Sequence, residues 1–95
     1  MGASAADNAP DAMEGAEART VLATACAMHG RPDQAKELMA AALVTFREHG
    51  AHGRIAQAAR DLGETFLRLG AKTDAADQLV IALGAEDALR KRPQP

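Results

Sequence analysis

Residues 61–83 read DLGETFLRLGAKTDAADQLVIAL. Leu62, Phe66 and Leu69 follow one another at steps of four and three, and Ala75, Leu79 and Leu83 at steps of four. That rhythm belongs to one face of an α-helix. Gly70 stands between the two sets. A glycine just past a helix takes the left-handed conformation at no Cβ penalty. The stretch therefore predicts two helices folded back on one another at Gly70.

The same reading extends upstream. Gly50-Ala51-His52-Gly53 is too short and glycine-rich for anything but a tight turn. It opens a helix over Arg54–Leu69 whose apolar set is Ile55, Ala58, Ala59, Leu62, Phe66 and Leu69. Before it, Pro32 fits the first turn of a helix, where its missing N–H would lack a partner anyway. That helix is expected to run to His49 through Ala35, Leu38, Met39, Ala42, Leu43 and Phe46, and to stop at Gly50. An earlier helix is expected over Ala12–His29, ending at Gly30, with Asp11 as N-cap and Glu14 completing a capping box. Its stripe carries Ala18, Leu22, Ala25 and Cys26, with Met28 or His29.

Downstream, Thr73 is the expected N-cap of a fourth helix carrying Ala75, Ala76, Leu79, Val80 and Leu83. Gly84 costs about 1 kcal/mol inside a helix relative to alanine and is expected to end or weaken it. Ala85 to Arg92 would form a further short turn or helix. Residues 1–10 are small and polar and read as disordered, 11–92 as one helical domain, and 93–95 as a tail. No segment alternates with period two, and Tyr and Trp are absent. The class is all-α: two stacked antiparallel helical hairpins, since short connections force sequential helices to run antiparallel.

The two hairpins are also copies. A shift of forty residues lays Ala16 on Ala56, Ala18 on Ala58, Leu22 on Leu62, Gly30 on Gly70, Ala35 on Ala75, Ala42 on Ala82 and Leu43 on Leu83. Cys26 falls on Phe66 and Met39 on Leu79. A period of this size signals stacked helical hairpins.

Twenty-four alanines stand against nine leucines, four methionines and two phenylalanines. Alanine buries little area, so bulky core material is scarce. A high-alanine background and small residues placed where helices touch both account for this, and the two are compatible. Net charge is −2, spread in both signs, which leaves no nucleic-acid face. The one local excess, Arg90, Lys91 and Arg92, reads as a solvated terminus. A single cysteine, Cys26, excludes an internal disulfide and suits a reducing compartment. No segment approaches the ~20 apolar residues of a membrane span. The opening residues lack a basic region followed by an apolar run, so no secretory signal is read. The expected location is the cytoplasm.

These residues resemble the tetratricopeptide repeat (TPR). Leu62, Gly63, Phe66, Gly70, Ala75, Leu79, Ala82 and Leu83 fill that pattern, and Leu22, Ala23, Cys26, Gly30, Ala35, Met39, Ala42 and Leu43 fill it a first time. The repeats span about 16–50 and 54–90. The pattern's early tryptophan position holds Arg19 and Ala59, its closing proline position Arg47 and Asp87, and the spacing is forty rather than thirty-four. The run FREHGAHGRIAQAARDLGETFLRLG, residues 46–70, looks like the longer repeats in sensor arms of bacterial transcriptional regulators.

The resemblance implies a concave face lined by the first helix of each hairpin. By motif position it would carry Glu17, Thr20, Thr24, Ala27 and Met28, then Gln57, Arg60, Glu64, Leu67 and Arg68. Arg60, Glu64 and Arg68 share one helix face. They read either as a solvated salt-bridge ladder or as an arginine pair for a carboxylate or acidic peptide. The lysine and asparagine set of the chaperone-tail-binding members is not found here.

Cys26-x-x-His29 and His49-x-x-His52 have zinc-like spacing. The length of the second helix would hold them about 30 Å apart, so one chain cannot close that site. The histidines read instead as helix-end residues at the negative C-terminal dipole. No phosphate loop or activated nucleophile is present, and neither catalysis, a metal nor another cofactor is expected. The expected function is non-catalytic binding of a protein or peptide partner, as a regulatory or adaptor component. The alternative is a homo-oligomerising structural domain, since fewer than three repeats leave the ends of the stack uncovered. A symmetric dimer is expected through Val44, Phe46, Val80 and Ile81.

Overall fold

A computed structural model describes residues 9–91, with side chains from residue 11 onward. It contains four α-helices: α1 over Ala9–Met28, α2 over Pro32–Glu48, α3 over His52–Arg68 and α4 over Lys72–Arg90. Among the described residues there is no strand. The fold is all-α, built of helical hairpins, as the periodicity predicts.

Three joints carry the chain from helix to helix, and all three have one construction. Gly30, Gly50 and Gly70 adopt φ of 77°, 62° and 80°. The residue after each glycine donates its N–H back to a carbonyl in the last turn: Arg31 to Cys26 at 2.9 Å, Ala51 to Phe46 at 2.8 Å and Ala71 to Phe66 at 2.9 Å. Each glycine N–H reaches the next carbonyl along, Ala27, Arg47 and Leu67 respectively. These paired bonds form the Schellman motif, which satisfies the orphan carbonyls of a helix end. The next helix begins two residues past each glycine.

The helix starts differ from those expected. α1 begins at Ala9, so Asp11 lies in its first turn and is not its cap. A carboxylate there still faces the positive end of the helix. α4 takes Ala71 as N-cap with no side-chain bond, which leaves Thr73 inside the helix. His52 opens α3 instead of closing α2. The expectation of disorder for residues 1–10 lies outside the described residues except at Ala9 and Pro10, which are helical. Gly84 neither ends nor divides α4, which continues to Arg90. Ala82 and Ala85 on either side of it are buried. Tertiary packing along the whole of α4 outweighs the local propensity cost.

α1 packs on α2 and α3 on α4, and α3 also lies against α1 and α2. Phe46, Phe66, Met39 and Leu62 are the largest fully buried side chains, each contributing about 1.5–3 kcal/mol of apolar burial. Around them Ala16, Ala23, Ala35, Ala42, Ala59 and Ala75 are wholly inaccessible. Small residues thus sit where helices touch. Gly63 is the closest approach: a Cβ there would lie 2.9 Å from Cγ of Leu79.

The buried stripes are narrower than expected. On α1 they comprise Ala16, Ala23 and Ala27, while Ala18 and Leu22 face outward. On α3 Leu69 is exposed. On α4 they comprise Ala75, Gln78, Ala82 and Ala85, with Ala76, Val80 and Leu83 exposed. Phe46, expected at a dimer contact, lies in the core instead, because α3 covers that end of α2. Val44 and Val80 are exposed and Ile81 is half-buried.

Candidate binding groove

Contact between α1 and α3 leaves an open groove of about 480 Å³ along their shared side. Thr20, Thr24 and Met28 line it from α1, one turn apart. Asp61, Glu64, Thr65 and Arg68 line it from α3, and Val21, Ala25 and Ala58 complete it. Steps of three and four on each helix put these side chains on one face.

The threonine hydroxyls are engaged with their own helices. Thr20 donates to the Glu17 carbonyl at 2.7 Å, Thr24 to the Thr20 carbonyl at 3.2 Å, and Thr65 to the Asp61 carbonyl at 2.9 Å. Their oxygens retain acceptor capacity. Val21 and Met28 are largely exposed and make the groove's apolar side. Among the described residues Glu64 and Arg68 form no ion pair.

Of the residues expected on the face, Thr20, Thr24, Met28, Glu64 and Arg68 come together in this groove. Gln57 lies just beyond, in a shallow depression shared with Glu17, Thr20, Arg54 and Asp61. Its amide donates to Asp61 Oδ1 at 3.0 Å. Glu17 and Arg54 pair across α1 and α3 and bound that end. Leu67 is half-exposed outside the groove lining. Ala27 is buried. Arg60 is turned away to pair with Glu86 on α4, so neither the Arg60–Glu64–Arg68 ladder nor an arginine pair forms.

Asp61, Val21 and Thr65 belong to the groove although sequence reasoning did not single them out. One signal was available for the first: Asp61, Glu64 and Arg68 stand at i, i+3 and i+7, on one helix face. The groove then carries two carboxylates against one guanidinium. Far from it, Lys36 on α2 bonds Asp74 on α4 at 3.0 Å and lies 3.7 Å from Asp33. The hydrogen bond and charge of Asp74 raise the Lys36 pKa above 10.5.

Among the described residues no hydrogen bond joins a groove threonine to the Asp61 or Glu64 carboxylate. Cys26 is half-buried and lines a separate depression with Leu22, His29 and Arg31. Among the described residues no three His, Cys, Asp or Glu side chains converge as metal ligands would. No described helix is long and apolar enough to cross a membrane. No protein-family model, curated protein or solved structure matches the chain.

Proposed function

We propose that the chain is a non-catalytic binding module that receives a peptide segment of a partner protein in the α1–α3 groove. The observation that carries this is the groove itself, where exposed Val21 and Met28 adjoin Asp61 and Glu64. A segment presenting a lysine or arginine beside an apolar side chain matches that pairing: the cation meets the carboxylates and the apolar group covers Met28. Arg68 at the far end suits an acidic group of the same segment. With Arg60 held by Glu86, a purely acidic peptide finds a single cation opposed by two carboxylates.

The resemblance to tetratricopeptide-like hairpins, of the longer kind in sensor arms of bacterial regulators, supports the same reading. In that family the first helices of successive hairpins form the binding face, the role the resemblance would give to α1 and α3. The module would act as a regulatory or adaptor component. Its single Cys26 is consistent with the reducing cytoplasm.

The test is a peptide array varied in charge and apolar content. Binding of basic-apolar peptides should be lost in the Asp61→Asn, Glu64→Gln double variant and kept in Arg60→Ala. Equal binding by the double variant would remove the groove from the function.

A further inference from the structure

The two hairpins are equivalent under the forty-residue shift, yet their equivalent residues are not equally covered. Leu62 is 0% exposed, whereas its counterpart Leu22 is 52% exposed. Leu43 is 5% exposed, whereas its counterpart Leu83 is 64% exposed. Both hairpins have the same glycine joint and bury equivalent alanines: Ala16 and Ala56, Ala35 and Ala75, Ala42 and Ala82. The difference is therefore what the neighbouring hairpin covers. The first hairpin covers Leu62 at the front of the second, and the second covers Leu43 at the rear of the first. Leu22 and Leu83 are the same two halves of that junction, left open at opposite ends of the molecule.

The charged residues at these ends do not oppose one another. At the front, Arg19 is exposed where its counterpart Ala59 is fully buried. At the rear, half-buried Glu86 stands at the position of buried Phe46 and is already paired with Arg60 of its own chain, so it presents no like charge to Arg19 of a second copy. The Glu17–Arg54 pair that ties α1 to α3 has Gln57 and Glu14 as its counterparts, which can hydrogen-bond without like-charge opposition. For Lys36–Asp74 the counterparts are Ala76 and Gln34, again without a clash.

We infer that the front face around Leu22 and Arg19 docks onto the rear face around Leu83 and Glu86 of a second copy of this chain, repeating the inner junction between molecules. Such a contact is heterologous. Each copy keeps one face free, so association continues beyond two chains. This does not depend on the peptide groove, whose lining includes none of these four residues.

Sedimentation of the full chain, with Leu22→Asp and Leu83→Asp variants, tests it. Both leucines are more than half exposed, so each variant should keep the helical circular dichroism spectrum of the wild type. The wild-type mass should climb with concentration beyond twice 9.9 kDa. Each variant alone should stay at the single-chain mass. An equal mixture should recover a two-chain complex and go no further, because one variant keeps its rear face and the other its front. A wild type that stays at single-chain mass at every concentration overturns the proposal. So does a closed symmetric dimer, or a mixture no heavier than either variant alone. The Asp61→Asn, Glu64→Gln variant should assemble as the wild type does, which separates this result from the fate of the groove.

Discussion

A Cβ built on Gly63 would stand 2.9 Å from both Cγ and Cδ2 of Leu79, and 3.4 Å from the Ala75 carbonyl oxygen. The absent side chain lets α3 and α4 approach closely within the second hairpin. Gly63→Ala adds about 1 kcal/mol of helix propensity but overpacks this contact, which costs about 1–3 kcal/mol. A net loss on the order of 1 kcal/mol should appear as a lower midpoint in thermal melts followed by circular dichroism.

Gly84 is the control for that argument. It is exposed, helical and has nothing within 4 Å of its would-be Cβ. Gly84→Ala keeps the propensity gain without the clash, and should raise stability by up to about 1 kcal/mol, or ~4–8 °C in Tm.

The joint glycines fail for a different reason. Gly70 also has open space around it, but its φ is +80°. Gly70→Ala should cost about 1–2 kcal/mol through backbone strain alone. Urea denaturation of Gly70→Ala beside Gly84→Ala should therefore show shifts of opposite sign for the same chemical change.

The ion pair between the hairpins gives a pH signature. Folding raises the Lys36 pKa above 10.5, chiefly through its hydrogen bond to Asp74. The stability linked to that shift is fully present below 10.5 and is lost as pH rises through the raised folded-state value. Urea melts of wild type and Lys36→Gln should thus converge as pH is taken above that range.

The sequence already contained the joints. Only a glycine takes φ near +77°, +62° and +80° without strain, so Gly30, Gly50 and Gly70 marked the helix ends directly. The facing of α1 was not legible, because an alanine-rich helix offers little contrast between faces. There the chain buries Ala16, Ala23 and Ala27 and turns Leu22 out. Leu83 misleads in the same way: its spacing fits the apolar stripe of α4, yet it is exposed. Arg60 shows the limit for the site. Helical spacing aligns it with Glu64 and Arg68, but its partner Glu86 is twenty-six residues away and is brought near by the α3–α4 packing.

The claim that a peptide enters between α1 and α3 is tested most directly by nuclear magnetic resonance of the labelled full chain. The titrant is a short peptide carrying lysine or arginine among apolar residues. The account predicts saturable shifts confined to Thr24, Met28, Asp61, Glu64 and Arg68 and their neighbours, absent in the Asp61→Asn, Glu64→Gln variant. Saturable shifts centred on another surface, or none in the groove for any such peptide, would contradict it.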